Sequence, residues 1–272
     1  MEIKMLSWLI EAISIHWHVL AGLFIAQGIL GVCMFEWAWK RTERVRLGEK
    51  AMMDEFPSFK RLDVHLWSRA KFYPGCFVML LPRVIWIFSW LFAVGFWCKI
   101  LFMGQSFDVP LSGWRRTAFK WLLWTHIPMG ILGFGYYNVH TKHSEEDVDY
   151  SRYLGPEWRK NKFRGKRVST LISNHITFIE VWVWISLLTP PSYTPGSFIK
   201  KFPIGDFYCK CLNSIYVDRN APKEELDRAV EEFMERQKMI ENSDLDWGPI
   251  CIFAEGSVTN GKNLSRFRRG GF

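Results

Sequence analysis

Paired cysteine spacings, internal repeats and low-complexity tracts are all missing from this chain of 272 residues. The lack of repeats excludes a solenoid. None of the six cysteines has the two-pair spacing of a zinc site, so we interpret them as reduced structural thiols and predict no metal centre. They are Cys33, Cys76, Cys98, Cys209, Cys211 and Cys251. No motif of a nucleic-acid-binding fold accompanies the net charge of +8, which argues against a nucleic-acid partner.

Charged residues are missing from long stretches near the N-terminus, and these stretches predict membrane spans. Residues Ala12 to Phe35 contain no Asp, Glu, Lys or Arg over 24 residues, which is long enough to cross a bilayer. We interpret this run as a retained anchor, because it is too long for a signal peptide and has no small-residue cleavage site. A second predicted span centres on Val84 to Cys98. Proline and glycines interrupt a third run, Trp121 to Tyr137, which fits either a span or a re-entrant or interfacial helix.

The charges between the apolar runs predict an orientation. The segment Lys40 to Lys71 holds nine Lys or Arg against five Asp or Glu, which places it on the cytosolic or matrix side. With three spans, the chain after Tyr137 returns to that side. Six positive charges between Arg159 and Arg167 are expected to attract anionic lipid headgroups and acyl-CoA, with a solvated face as the alternative. We therefore predict a membrane region at 1–140 and a catalytic domain at 141–272.

A histidine follows the first predicted strand of that domain, and a glutamate lies five residues after it. Arg167 to Ile172 predicts a strand and Thr177 to Leu188 a helix, so His175 lies in the connecting turn and Glu180 in the first helical turn. A carboxylate on one imidazole nitrogen fixes the tautomer and leaves the other nitrogen free to accept a proton, as a general base requires. A capping box, with Thr177 as N-cap and Glu180 three residues on, explains the same glutamate without catalysis.

Two further motifs follow the histidine. Pro249 to Phe253 predicts a buried strand, and Glu255-Gly256-Ser257 comes directly after Ala254, eighty residues beyond His175. Between these blocks lie Lys201 to Gly205 and Ile215 to Arg219.

The three motifs resemble those of the glycerolipid acyltransferases, in particular the lysophosphatidylcholine acyltransferase branch. The resemblance covers Asp149 to Phe272, and the motifs occur in family order at family spacing. In the second motif it implies a glycine turn at Lys201 to Gly205 and a strand from Ile215 that ends in Arg219. It implies an α/β acyltransferase domain, a mixed sheet with covering helices, preceded by a transmembrane helical region of two to three spans. Because the family fold continues past the third motif, we expect either that this chain is a fragment of a longer protein or that the domain is C-terminally incomplete. Two positions depart from the family pattern: Glu180 replaces an Asp and Ala254 replaces a Pro.

The resemblance implies a membrane acyltransferase that moves a fatty acyl group from acyl-CoA to the hydroxyl of a lysophospholipid or related glycerolipid. His175 is expected to be the base and Glu180 to orient it. The residues expected to bind substrate are Asn174, Gly205, Arg219, Glu255, Gly256 and Ser257. Acyl-CoA is a co-substrate, and no other cofactor is expected. The endoplasmic reticulum membrane is the expected compartment, and the mitochondrial inner membrane is the alternative. The alternative function is a non-catalytic, lipid-binding structural subunit of a larger membrane complex.

Overall fold

The computed structural model describes residues 2–43, 48, 54–142, 149, 151–157, 167–218, 220–263 and 265–267. It divides into two compact units, Met1–Ser89 and Trp90–Phe272. The predicted division at residue 140 into a membrane region and a catalytic domain stays a prediction. The compact unit that contains the sheet begins well before that residue.

The first unit is built from long apolar helices. Its elements are α1 (Glu2–Arg41), α2 (Arg69–Gly75), a π-helical turn at Cys76–Leu80, the start of α3 (Leu81–Leu101), and short 3₁₀ turns at Pro57–Phe59 and Val64–Leu66. Two stretches, His16–Arg41 and Arg69–Leu101, are long and apolar enough to cross a membrane. They overlap the first two predicted spans, Ala12 to Phe35 and the span centred on Val84 to Cys98.

Within the first unit, α1 approaches the π-helical turn closely at two glycines. A Cβ atom on Gly28 would overlap the ring of Phe77, and one on Gly31 would overlap the carbonyl oxygen of Cys76. Gly31 therefore requires glycine, and a side chain at Gly28 would force the ring of Phe77 to move. Small residues of this kind allow helices in membranes to pack with their backbones close together.

A side-chain amide completes the contact between these helices. Gln27 donates from Nε2 to the carbonyl oxygen of Phe77 at 2.8 Å. In a π-helical turn the partner of that carbonyl would be the residue five positions later, which is Pro82 and has no N–H. Gln27 thus satisfies a backbone acceptor that the proline leaves without its helical donor.

The second unit contains a small parallel sheet covered by helices. After α3 its elements are α4 (Gly113–Gly133), α5 (Ser151–Leu154), β1 (Thr170–Ser173), α6 (Glu180–Leu187), β2 (Ser192–Tyr193), a 3₁₀ turn at Ser197–Lys201, α7 (Pro203–Cys211), α8 (Lys223–Asn242) and β3 (Ile250–Phe253). The strand order is β1-β3-β2, and both strand pairs are parallel. The predicted mixed sheet is therefore wrong for the described residues. A helix lies in each connection between consecutive strands, and helical crossovers join parallel neighbours.

The third apolar run, Trp121 to Tyr137, falls in α4 and the residues after it. By length and composition it is not among the described stretches that could cross a membrane. One side of α4 packs in the core of the second unit. Near the start of α4, Arg116 is buried and pairs with Asp246 at 3.2 Å, and Lys120 pairs with the same carboxylate. Burial lowers the pKa of Arg116, and the charge of Asp246 opposes that shift. This cluster ties α4 to the loop before β3.

The predicted side of the catalytic domain stays a prediction. The expectation that the chain after Tyr137 lies on the same side as Lys40 to Lys71 required three crossings. The described residues contain two stretches long and apolar enough to cross.

The second-motif region differs most from its prediction. Ile215 to Arg219 forms no strand in the described residues, and a single parallel bridge joins Gly196 to Val217. The predicted turn at Lys201 to Gly205 runs into the first turn of α7. Pro203 explains the difference, because its fixed φ suits the first position of a helix.

Candidate active site

The turn between β1 and α6 carries the predicted histidine and glutamate side by side. Nδ1 of His175 lies 2.8 Å from Oε2 of Glu180. The second carboxylate oxygen, Oε1, accepts a hydrogen bond from the backbone N–H of Ile176 at 2.8 Å. Glu180 is the first residue of α6, so the helix itself aims the carboxylate back at the turn. The predicted hydrogen bond between the two side chains is present.

The capping box that competed with this pair takes a different form. Oγ1 of Thr177 accepts a long hydrogen bond, 3.4 Å, from the N–H of Ile179. Glu180 accepts from Ile176, not from the N–H of Thr177 as a capping box requires. One carboxylate oxygen of Glu180 therefore stabilises the turn, and the other binds the imidazole of His175.

The glutamate of the third motif holds the backbone of the same histidine. Oε1 of Glu255 accepts from the N–H of His175 at 3.0 Å, and Oε2 accepts from the N–H of Ser265 at 3.1 Å. Burial would raise the pKa of Glu255, but these backbone hydrogen bonds and those from Thr259 and Ser265 side chains outweigh it and hold the pKa below its ordinary value. The N–H of Thr259 also donates to the carbonyl oxygen of His175 at 2.7 Å. Hydrogen bonds thus hold both the backbone N–H and the backbone carbonyl group of His175.

Sheet pairing explains how motifs eighty residues apart meet. Ser173 at the end of β1 is paired with Phe253 at the end of β3, so the two following turns leave the same edge of the sheet. The ring of Phe253 stacks on that of His175, with centroids 4.1 Å apart and planes 19° apart. Tyr193 stacks next, 6.2 Å from Phe253, and donates from its hydroxyl to the Val181 carbonyl oxygen at 2.7 Å. The stack sets the plane of the imidazole.

A cavity of about 1020 Å³ opens beside the imidazole, and His175 is part of its wall. The wall is largely apolar and includes Leu91, Leu123, Trp182, Ile185, Tyr208 and Phe253. Nε2 of His175 has no hydrogen-bond partner among the residues that the structure describes. A nitrogen that can accept a proton therefore lies beside a space large enough for a long apolar ligand.

The other predicted site residues are distributed unevenly around this cavity. Gly205, Gly256 and Ser257 line it. Gly256 has φ of 73°, a left-handed conformation that favours glycine. The side chain of Glu255 lies behind the wall, and Asn174 is exposed outside it. Arg219 lies outside the described residues, and the substrate-binding roles of all these residues stay predictions.

Several residues that shape the site were not identified from the sequence. Phe253 and Thr259 belong to the third motif, and their contacts with His175 follow from the pairing of β1 with β3. Tyr193 lies between motifs, where no spacing signal points to it. Burial, and next the negative charge of Glu180, raise the pKa of Cys251 to about 12, so this thiol is protonated at neutral pH. No group of three His, Cys, Asp or Glu side chains suited to a metal ion occurs in the described part of the chain.

Two curated proteins are similar to this chain, and both are named acyltransferases. Lysophospholipid acyltransferase LPEAT1 of Arabidopsis thaliana is 24% identical over 169 residues, covering 60% of this chain and 42% of that protein. Lysophosphatidylcholine acyltransferase 2 of Danio rerio is 24% identical over 205 residues, covering 72% and 32%. The predicted resemblance to the glycerolipid acyltransferases is confirmed. The chain spans less than half the length of either relative. No family model and no solved structure matches it.

The two departures from the glycerolipid acyltransferase pattern are both accommodated. Glu180, in place of the family's Asp, reaches Nδ1 of His175 at hydrogen-bond distance from the first residue of α6. Ala254, in place of the family's Pro, donates its N–H to the carbonyl oxygen of Ser173 at 3.2 Å. A proline has no N–H for this bond, so the replacement adds a link between the two turns.

Proposed function

We propose that this chain is a membrane acyltransferase that moves a fatty acyl group from acyl-CoA to the hydroxyl of a lysophospholipid or related glycerolipid. The observation that carries the proposal is the hydrogen bond between His175 and Glu180 at the wall of an apolar cavity. The names of the two relatives support the reaction class, and two helices apolar enough to cross a membrane support the location. The endoplasmic reticulum is the proposed compartment.

In the proposed mechanism His175 acts as a general base. Nε2 accepts the proton of the acceptor hydroxyl as that oxygen attacks the thioester carbonyl carbon. The C–S bond then breaks, and the imidazolium returns the proton to the departing CoA thiolate. Glu180 keeps Nδ1 protonated and balances the positive charge that develops on the ring. No covalent enzyme intermediate is needed.

The lining and volume of the cavity support the assignment of long apolar substrates to this mechanism. Side chains from α3, α4, α6 and α7 line it, and its volume of about 1020 Å³ is at the upper end of ordinary ligand pockets. We assign it to the acyl chain and the adjoining glycerolipid. Gly205, Gly256 and Ser257 stand where they can contact the acceptor. The alternative of a structural subunit gains no support from the relatives, which are named as transferases.

The test is transfer of labelled acyl groups by the full chain in phospholipid nanodiscs, with acyl-CoA as donor and lysophosphatidylcholine or lysophosphatidylethanolamine as acceptor. His175→Ala is expected to slow transfer by about 10² to 10⁴. The matched control is His65→Ala, which changes an exposed histidine in the first unit and should leave the rate unchanged. Equal turnover by His175→Ala and the parent chain would overturn the assignment, and no turnover by the parent would favour the structural-subunit alternative.

A further inference from the structure

Tyr193, the last residue of β2, lies outside the three motifs and contacts all of them. Its ring stacks on that of Phe253 in the third motif, with planes 9° apart. Its hydroxyl donates to the carbonyl oxygen of Val181 at 2.7 Å, one residue after Glu180 of the histidine motif. Its own carbonyl oxygen accepts from the N–H of Ile215, where the second motif begins its last segment, at 2.9 Å. Tyr193 therefore joins the three motifs through one residue.

The backbone of β2 is held firmly against the start of β3. The N–H of Ser192 donates to the carbonyl oxygen of Pro249 at 2.9 Å. A Cβ atom on Gly248 would overlap the carbonyl oxygen of Pro190, so the segments that lead into the two strands are in direct backbone contact. Tyr193 itself is only 6% exposed. Its side chain therefore starts from a fixed point in the second unit.

The ring of Tyr193 acts on the imidazole through Phe253. Tyr193 is paired with Cys251, and Phe253 lies two residues further along β3, so the two rings share one face of the sheet. The other side of the Phe253 ring contacts the His175 ring, with centroids 4.1 Å apart. The ring of Phe253 is thus held between the tyrosine and the histidine. A change in the tyrosine ring is passed to the tilt of the imidazole.

The hydroxyl of Tyr193 acts on the start of α6, which carries Glu180. This helix has eight residues, and no side chain of its N-cap residue, Ile179, holds its first turn. A hydrogen bond from outside the helix, from Tyr193 to Val181, helps to fix that turn. Burial, and next the charge of Cys251, hold the pKa of Tyr193 well above its ordinary value. The hydroxyl therefore keeps its proton and stays a donor at neutral pH.

We propose that Tyr193 is a positioning residue for acyl transfer: its ring sets the tilt of His175, and its hydroxyl sets the turn that carries Glu180. The inference rests on the proposed function of the His175–Glu180 pair. Proton transfer requires the base to be aligned with the reacting hydroxyl, and a small displacement slows the chemical step without changing how substrate binds. The 2.8 Å hydrogen bond between the two side chains thus depends on a residue that no motif contains.

Two substitutions of Tyr193 separate the ring from the hydroxyl. Tyr193→Phe keeps the ring and removes the hydrogen bond to Val181, and Tyr193→Leu removes both contacts. A misplacement of about 1 Å costs about 10²-fold, so we expect kcat to fall about 10-fold in Tyr193→Phe and about 10²-fold in Tyr193→Leu. The KM for the acceptor in Tyr193→Phe should equal that of the parent. The matched control is Tyr73→Phe, which removes a hydroxyl that donates to Glu36 in the first unit and should leave kcat unchanged.

A second measurement needs no turnover. The chain is labelled with ¹⁵N-histidine in nanodiscs, and the His175 signals are identified by their loss in His175→Ala. At about pH 8, where histidine is ordinarily neutral, the ¹⁵N shifts show which ring nitrogen carries the proton. The parent should have the proton on Nδ1, next to Glu180. Tyr193→Leu should give a mixture of the two tautomers, because the imidazole tilts away from the carboxylate.

Three results would overturn the proposal. The first is parental kcat in both variants. The second is a raised KM with parental kcat, which would make Tyr193 a substrate contact. The third is an unchanged tautomer in Tyr193→Leu. A parent chain without turnover, together with mixed tautomers in Tyr193→Leu, would contradict the proposed function and support the positioning of His175 by Tyr193. Thermal melting checks each fold, and kcat of Tyr193→Phe decides if Tyr193→Leu does not fold.

Discussion

The turn after β1 and the turn after β3 each present one glutamate to His175, and the two carboxylates act on different parts of it. Glu180 binds the ring at Nδ1, and its other oxygen binds the N–H of Ile176. Glu255 binds the backbone N–H of His175 and that of Ser265. The glutamate of the histidine motif therefore contacts the imidazole ring, whereas the glutamate of the third motif holds the backbone that carries the ring. The substrate-binding role expected of Glu255 stays a prediction.

Replacing glutamate by glutamine at each of the two positions tests both roles. Each glutamate accepts hydrogen bonds on both of its carboxylate oxygens, and a glutamine offers one acceptor oxygen in the same volume. Glu→Gln therefore removes one acceptor at either position. Glu180→Gln should mainly slow acyl transfer, and Glu255→Gln should mainly lower the stability of the fold.

Glu180→Gln is expected to give the largest effect, and the effect is on catalysis. The amide either leaves the N–H of Ile176 without an acceptor or stabilises the wrong tautomer of His175. Base catalysis contributes about 10² to 10⁴ to a rate, so acyl transfer should fall at least about 10²-fold. Initial rates of acyl transfer measure this, and thermal melting should change little. Parental rates in this variant would remove Glu180 from the mechanism.

Glu255→Gln is expected to act mainly on stability. One backbone N–H, of His175 or of Ser265, is left buried without an acceptor, which costs about 1–3 kcal/mol. Activity should fall less than in Glu180→Gln, because Thr259 still holds the carbonyl of His175. Denaturation in detergent measures the loss, with Glu231→Gln on the exposed side of α8 as the control. A loss of activity larger than that of Glu180→Gln, with unchanged stability, would reverse the two roles.

The pH dependence of stability also tests the role of Glu255. The pKa of Glu255 is held below its ordinary value, so its hydrogen bonds stabilise the fold above that value and are lost as pH falls through the lowered pKa. The parent chain should therefore lose more stability than Glu255→Gln between about pH 5 and pH 2, around and below the ordinary value for Glu. Melting temperatures of both chains across this range provide the test, and parallel curves would contradict it.

Gln27→Leu in the first unit should give the smallest effect. It removes the donor to the Phe77 carbonyl oxygen, which Pro82 leaves without a helical partner. Hydrogen bonds between membrane helices average about 0.6 kcal/mol and reach about 1.7 kcal/mol, so the loss of stability should fall in that range. Unfolding in mixed micelles measures it, and acyl transfer should stay unchanged. The control is Ile29→Leu, at an exposed position on the same helix, and an equal loss of stability in both variants would contradict the assignment.

Local features of the fold and site were predictable, and contacts between distant segments were not. Periodicity and turn chemistry placed His175 between a strand and a helix and Glu180 at the helix start, close to the observed bounds. The partner of Glu255 was not predictable, because it depends on β1 lying beside β3. The apolar residues of α8 at helical spacing, Leu226, Val230, Phe233 and Ile240, predict one buried side, and this is partly wrong: Ile240 is buried but Val230 is 49% exposed. Val230 lies one position past the buried stripe, a shift that a 3.6-residue period does not resolve.

The central claim is that Glu180 acts on the reaction through His175, and a double-mutant cycle tests it most directly. Acyl-transfer rates are measured for the parent, Glu180→Gln, His175→Ala and the double variant, under saturating donor and acceptor. The claim predicts that Glu180→Gln slows the parent at least about 10²-fold and has no further effect once His175 is alanine, since residues that act as a unit are not additive. The same fold-loss from Glu180→Gln in both backgrounds would contradict it.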